Sequence, residues 1–299
     1  SLKKFVELKP SVNEINYNSY QFISETLKSV INQSYKNWEL ILIDDNSNKN
    51  TREILNNYIK EKNIKIIFLK KNMGTAFCRN YALRLSSSEY VAFIDSDDIW
   101  QIDKLEKQVA LFKKNESIGL VYSNCYLFYE NSKKKKIFKN KTLKTGHVTD
   151  YLFKGHNIGI LTILISRKAY KSVSGFNDEY SIIGDFDLIV RLSLKWEFDC
   201  VQEPLAYYRI HNKNFSSLNS SLEIKEFENW LLNKEIKLNK NLQPHLYYIR
   251  EKIVFLKTIK NINEGRLKQA LKSILFFPIG FSKFKLFIYI FLPKKLINR

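Results

Sequence analysis

Cysteine is scarce: Cys78, Cys125 and Cys200 are the three in 299 residues, odd in number, scattered and without metal-ligand spacing. This excludes a disulfide framework and a zinc site and points to a reducing, cytosolic setting. No Gly-x-Gly-x-x-Gly turn follows any strand-like run, which argues against a dinucleotide-dependent dehydrogenase. Acidic residues are the minority charge, 30 Asp+Glu against 49 Lys+Arg, yet no nucleic-acid-binding motif accompanies the excess, so no nucleic-acid partner is expected. No charged start followed by an apolar core and a cleavage site opens the chain, and a signal peptide is not expected. An uninterrupted apolar run of membrane-spanning length is missing too. Ile274 to Leu292 comes nearest, but it contains Pro278, Gly280, Lys283 and Lys285.

The positive charge is unevenly placed. Residues 250–299 hold 12 basic side chains against Glu251 and Glu264, about half of the overall +19, in a stretch also rich in Phe, Ile and Leu. A basic and apolar tail suits an anionic membrane surface better than nucleic acid, and Ile274 to Leu292 reads as a basic amphipathic segment lying in the interface. The competing reading packs these residues on the main domain. Composition changes near residue 215 to Asn-, Lys- and Leu-rich helices. The expected domains are therefore 1–215 and a helical, basic and apolar extension over 216–299.

With 44% hydrophobic and 26% charged residues the chain can bury a large core. It reads as α/β, with strands alternating with helices. A helix is expected from Ser24, with Ile23, Leu27, Val30 and Ile31 on one face, and Trp38 to Ile43 is a strand ending in Asp44-Asp45-Asn46-Ser47. A helix over Thr51 to Lys62, a strand over Ile64 to Leu69, the turn Asn72-Met-Gly74, a helix carrying Arg79 and Asn80, and the strand Tyr90 to Ile94 follow. Three helix-linked strands imply a parallel sheet with right-handed crossovers. A first strand is expected near residues 11–18, where Asn13 and Glu14 interrupt the apolar pattern.

After the strand at Tyr90 come Asp95, Asp97 and Asp98, three carboxylates within four positions. Such crowding just past a strand end, where open α/β sheets place ligands, is relieved by a hard divalent cation that can also hold a diphosphate. The plainer reading is that Asp97 or Asp98 caps a helix beginning near Gln101. Further strands are expected at Gly119 to Tyr129, Leu161 to Ile165 and Phe198 to Val201, and Lys133 to Lys136 reads as the solvated tip of a hairpin. Asp185 and Asp187 fall in the first turn of a helix, where carboxylates are favoured whether or not they do chemistry.

Taken in order, Tyr17-Asn18, Glu25-Thr-Leu-Lys-Ser-Val-Ile-Asn-Gln-Ser-Tyr35, Glu39-Leu-Ile-Leu-Ile-Asp-Asp-Asn-Ser47, Asn72-Met-Gly74 with Arg79-Asn80, Phe93-Ile-Asp-Ser-Asp-Asp98 and Gly184-Asp185-Phe-Asp187 resemble family 2 glycosyltransferases of the GT-A fold. The resemblance covers about residues 11–212. It implies a mostly parallel sheet flanked by helices, with a nucleotide-sugar site formed by Tyr17, Asp44, Asp45, Gly74, Arg79, Asp95 and Asp97. Asp45 would meet the ring NH of a uridine base with Asp44 nearby, and Arg79 would lie near the nucleotide or its phosphates. Asp95 or Asp97 would reach the ribose. Asp97 or Asp98 would hold Mn²⁺ or Mg²⁺ on the diphosphate, with His211 near the metal and donor phosphates, and Asp185 matches the catalytic base.

The function so implied is metal-dependent, inverting transfer from a UDP-sugar to a hydroxyl of a cell-surface glycan or lipid-linked acceptor. It would take place in a bacterial-type cell, in the cytoplasm at the inner face of the membrane. The family's first strand usually runs into Pro-Thr-Tyr-Asn, whereas this chain has Asn13-Glu14-Ile-Asn-Tyr17-Asn18. A buried unpaired Glu14 would be costly, which raises the alternative of a non-catalytic nucleotide-sugar or glycan binder.

Overall fold

The computed structural model describes residues 4–9, 19–112, 115, 117–139, 141–155, 158–212, 214 and 218–292. The chain divides into two compact units, 1–212 and 213–299.

Nine strands among the described residues of the first unit form one mixed sheet. Its parallel part consists of β1 (Lys4–Lys9), β2 (Trp38–Asp44), β3 (Ile64–Phe68) and β4 (Tyr90–Asp95), in the spatial order β3-β2-β1-β4. The first strand therefore lies earlier than expected. Residues 4–9 fill the slot between β2 and β4, while residues 11–18, with Asn13, Glu14 and Tyr17, fall outside the described residues. The interrupted pattern at Asn13-Glu14 is thus not the pattern of the strand that pairs.

β4 continues antiparallel into β8 (Leu164–Ser166), then β6 (Ile118–Tyr129) and β9 (Glu197–Ile210), with β5 (Ile99–Trp100) on the far side of β9. β7 (Lys134–Ile137) pairs antiparallel with β6, so three of the four lysines expected at a hairpin tip stand on the returning strand itself. β9 was expected as a short strand at Phe198–Val201 but runs to Ile210. Its register on β6 shifts opposite Ser123 and Asn124, where Pro204 interrupts the ladder. A bulge accommodates a residue that has no N–H to donate.

The core explains why the strands read as apolar runs. β2 and β4 are buried on both faces: Leu40, Leu42, Ala92 and Ile94 meet Ile23, Leu27 and Val30 of α1 (Ile23–Ile31) and Leu105 and Val109 of α4 (Lys104–Phe112), while Ile41, Ile43, Val91 and Phe93 are equally buried. α2 (Lys49–Asn56) starts at Asn48, whose side chain accepts from Thr51 N–H at 3.0 Å. α3 (Thr75–Leu85), α5 (Thr149–Phe153), α6 (Arg167–Ser172) and α7 (Gly184–Ser193) complete the unit. β4 ends at the carboxyl edge beside β1, with Lys9 in register with Asp95. β2 and β4 are separated by one strand, so their aspartate-bearing ends lie about 10 Å apart along one edge.

The second unit is helical: α8 (Ser220–Leu232), α9 (Lys234–Leu238), α10 (Leu246–Asn263), α11 (Leu267–Phe276) and α12 (Phe281–Phe291). The segment expected as one amphipathic stretch is two helices broken between Phe277 and Gly280. Pro278 offers no N–H to continue α11. Among the described residues no helix is long and apolar enough to cross a membrane.

Candidate active site

At the end of β2, Asp44 and Asp45 are both buried but do different things. Asp44 accepts from Ser47 N–H at 3.1 Å and from Arg52 Nε at 2.8 Å; Arg52 also reaches Leu69 O, so Asp44 ties β2 to α2 and to the end of β3. Asp45 accepts from Met73 N–H at 2.6 Å and Gly74 N–H at 2.9 Å, one bond on each carboxylate oxygen. The Asn72-Met-Gly turn needs Gly74 at φ +85, the left-handed region that a side chain disfavours, before α3 can start. The sequence reading gave Asp45 to a nucleotide base; here its carboxylate is 1% exposed and holds this turn.

α3 then delivers Arg79, which is 5% exposed. Its guanidinium bridges two carboxylates, donating from Nη1 to Asp185 Oδ1 at 2.6 Å and from Nη2 to Asp95 Oδ1 at 2.7 Å. Phe93 and Phe176 lie against it, with ring centroids 5.9 and 5.1 Å from its central carbon. The resemblance set Arg79 near the nucleotide or its phosphates; in the structure it lies between the two aspartates.

Asn80 fixes the segment that leads to Asp185: its Nδ2 donates to Phe176 O at 2.9 Å, and its Oδ1 accepts from Phe176 N–H at 3.0 Å and Tyr170 Oη at 2.7 Å. Gly175 packs so closely here that a Cβ would lie 2.6 Å from Asn80 Oδ1. Asp187, two residues beyond Asp185, is engaged elsewhere, since its carboxylate pairs with Arg191, which also donates to Gly175 O at 2.8 Å. Asp185 is thus the carboxylate of α7 left at the rim, with its side chain 33% exposed beside Asp95 at 35%. Burial pushes the Asp185 carboxyl above its ordinary range, Arg79 pulls it back down, and Asp95 adds a smaller upward push.

The rest of the aspartate cluster meets the end of β9. Asp97 Oδ2 and His211 Nε2 are 3.0 Å apart, and the imidazole stacks on Phe22 at 5.0 Å between centroids. Asp98 turns inward. Its Oδ1 accepts from Arg209 N–H at 2.9 Å, and its Oδ2 is buried with no hydrogen-bond partner among the described residues. Burial, and then the charges of Asp97 and Asp95, hold its carboxyl well above the usual carboxylate range. A metal role was expected for Asp97 or Asp98; Asp98 is 1% exposed, while the Asp97 side chain is 18% exposed.

Arg209 is the residue that the sequence did not reveal. Its side chain is 2% exposed, pairs with Glu25 and Glu130, donates from Nε to Asp97 O at 2.6 Å and lies 4.7 Å from the Phe22 ring centroid. Glu25 is 184 positions away in the chain, so no local pattern signals the pair.

Asp97 and His211, within hydrogen-bonding distance of each other at 3.0 Å, are the side chains that could hold a divalent metal. Among the described residues no group of three or more His, Cys, Asp or Glu side chains is placed to hold one. Tyr17 lies outside the described residues.

Comparisons with known proteins bear on the family and the fold. Residues 11–173 match the model of glycosyl transferase family 2. The chain is 33% identical over 265 residues to the teichuronic acid biosynthesis glycosyltransferase TuaG of Bacillus subtilis, covering 87% of this chain and 98% of that protein. It is 36% identical over 154 residues to the Escherichia coli UDP-Glc:alpha-D-GlcNAc-diphosphoundecaprenol beta-1,3-glucosyltransferase WfgD, over 51% of this chain and 58% of the relative.

Two solved structures share the fold. Staphylococcus aureus TarS 1-349 in complex with UDP-GlcNAc superposes with a TM-score of 0.61 at 16% identity, covering 90% of this chain and 89% of that one. The Pyrobaculum calidifontis mannosyltransferase PcManGT in complex with GDP-Man and Mn²⁺ gives 0.63 at 14%, over 92% and 75%. A parallel sheet edge carrying aspartates, a GT-A architecture and a family match over more than half of the chain agree: this protein is a glycosyltransferase and belongs to glycosyl transferase family 2.

Proposed function

We propose that the first unit transfers a sugar from a UDP-sugar to a hydroxyl of a lipid-linked or cell-surface glycan acceptor, with inversion and with help from a divalent metal. The observation that carries the reading is the Arg79 bridge, which holds Asp185 and Asp95 on one accessible rim at the carboxyl edge of the sheet. The printed activity of WfgD, a UDP-glucose donor with a diphosphoundecaprenol-linked acceptor, supports the donor and acceptor classes. UDP-GlcNAc in TarS supports the same donor type.

In this reading Asp185 accepts the proton of the acceptor hydroxyl as that oxygen attacks the anomeric carbon opposite the departing diphosphate. One displacement of this kind inverts the anomeric configuration. A carboxyl raised by burial is better matched to proton abstraction near neutral pH than a free one. Arg79 aims Asp185, and Phe93 and Phe176 keep the guanidinium in place. Asp97 and His211 would hold Mn²⁺ or Mg²⁺, which would supply charge neutralisation to the leaving diphosphate; Mn²⁺ in PcManGT supports that choice. Asp45 acts through the Met73-Gly74 turn, and Asp44 through Arg52. Asp98 and Arg209 set the position of Asp97 and His211.

The second unit brings the protein to the inner face of the membrane. Phe276, Ile279 and Phe291 are 81%, 97% and 73% exposed on and between α11 and α12, with Lys268, Lys272, Lys283 and Lys285 in the same segment. Apolar side chains among lysines fit an anionic lipid surface. The non-catalytic alternative rested on a first strand at 11–18; among the described residues the slot between β2 and β4 is filled by residues 4–9.

The deciding experiment incubates the protein with a panel of nucleotide sugars, Mn²⁺ and lipid-linked acceptors. Metal-dependent UDP release with one donor is expected. Absence of release with every donor, while UDP still binds, would return the binder reading.

A further inference from the structure

The second unit contains a cavity that the transfer reaction does not use. Its volume is about 240 Å³, and it is lined by Ser221 and Ile224 of α8, Lys257, Lys260 and Asn261 of α10, and Arg266. Helical spacing explains the convergence: residues 257, 260 and 261 share one face of α10, and 221 and 224 one face of α8.

Arg266 is fixed by the way α10 ends. Gly265 adopts φ +77, its N–H donates to Ile262 O at 3.1 Å and the N–H of Arg266 to Asn261 O at 2.8 Å, the paired bonds of a left-handed C-cap. Arg266 Nε then donates to Asn261 Oδ1 at 3.0 Å. On the opposite side Lys260 Nζ donates to Ser221 Oγ at 2.8 Å and has no carboxylate partner among the described residues. Two carboxylates are close: Glu228 lies 2.5 Å from Lys257 Nζ, and Glu264 contacts Arg266. All four of these side chains are 42–51% exposed, and ion pairs so open to solvent are weak, so a stronger anion can displace them.

Two lysines, an arginine fork, a hydroxyl and a carboxamide around one small cavity suit a tetrahedral, multiply charged anion. The volume admits a phosphate and several waters, each occupying about 30 Å³. The surroundings are apolar on one side. Ile224 is part of the lining, and Leu267 and Leu271, on the helix that begins directly after Arg266, are 44% and 43% exposed.

We propose that this cavity binds a phosphate group, with Lys260 and Arg266 as its principal ligands and a phosphorylated lipid as the carrier that its apolar margin fits. The site is independent of the transfer reading and can be tested without donor or acceptor.

The test uses the full chain. Inorganic phosphate binding is measured by calorimetry and ³¹P line broadening. Sedimentation is measured with phosphatidylcholine vesicles containing phosphatidic acid, and with vesicles carrying the same charge as cholesteryl hemisuccinate. The variant Lys260→Gln/Arg266→Gln is expected to weaken phosphate binding by about tenfold or more, the scale of one lost charge-assisted contact. It should also lose the preference for phosphatidic acid, whereas Lys134→Gln/Lys136→Gln, on the exposed strand β7 of the first unit, should keep both. Gly265→Ala, which strains the cap without removing charge, should weaken binding several-fold. Phosphate binding without any preference for phosphatidic acid would assign the site to soluble phosphate. No phosphate binding by the parent protein, or equal losses in the two double variants, would overturn the proposal.

Discussion

Two buried arginines organise the carboxyl edge of the sheet, and they do so differently. Arg79 pairs with Asp95 and Asp185, whose side chains remain 35% and 33% exposed, so its partners can still meet a substrate. Arg209 is sealed beneath the edge at 2% exposure, holding Glu25, Glu130 and the carbonyl of Asp97 while its amide engages Asp98. The same residue type thus bridges two half-exposed carboxylates in one place and fixes backbone in the other. The difference lies in what each arginine holds: Arg79 binds side-chain carboxylates at the edge, whereas Arg209 also binds the carbonyl of Asp97 and offers its own amide to Asp98.

The largest effect expected on the rim is that of Asp185→Asn. Turnover should fall by about a hundredfold or more, the usual scale for a positioned base, with donor binding nearly intact. Steady-state kinetics alongside UDP-sugar calorimetry checks this, and a defect confined to donor binding would take Asp185 out of the chemistry.

Beneath the edge, Arg209→Leu should cost about 3 kcal/mol of stability, the low end for breaking a buried ion pair, because Glu25, 57% exposed, can rehydrate. The metal requirement should rise at the same time. Denaturant unfolding and a Mn²⁺ titration of activity separate the two losses.

Arg79→Gln should lower turnover by about tenfold or more while guanidinium ion added to the assay restores part of it. The pH profile sharpens the comparison. A base works only when deprotonated, so activity falls as pH drops through the raised value of Asp185. Removing Arg79 removes the influence that lowers that value, and the acid limb should move to higher pH. An unmoved limb would mean that Arg79 supports the fold alone.

The smallest effect belongs to Asp98→Asn. The folded chain holds this carboxyl above its unfolded value, so its contribution to stability is present at low pH and is lost as pH rises through the folded value. The variant should therefore be as stable as the parent or more stable near pH 7.5, with the gap closing toward acid, and should retain its metal affinity. Loss of metal-dependent turnover without loss of fold would restore Asp98 as a ligand.

How far the sequence reading reached depended on distance along the chain. β2 and β4 were legible because both are covered on two faces and so appear as unbroken apolar runs ending in aspartates. Asp185 was legible as a carboxylate in a helix's first turn, but its pairing with Arg79 spans 106 positions and leaves no local trace. The sequence pattern placed the first strand at residues 11–18, whereas the flanking strands pair with residues 4–9. β9 was cut short because Pro204 reads as a strand break unless the bulge opposite it is known.

The amino-acid sequence by itself determined the alternation of strands and helices, the aspartates at strand ends and the basic, apolar character of the last fifty residues. Periodicity, capping and charge are properties of neighbours in the chain. Only the tertiary structure decided which carboxylates are buried and which stay exposed. Asp44, Asp45, Asp98 and Asp187 are buried on backbone amides or an arginine, while Asp95 and Asp185, both held by Arg79, keep 35% and 33% of their side chains exposed and Asp97, beside His211, keeps 18%. How exposed a bound carboxylate remains depends on where the fold brings its donors, and in Asp185 and Asp98 those donors come from residues more than a hundred positions away.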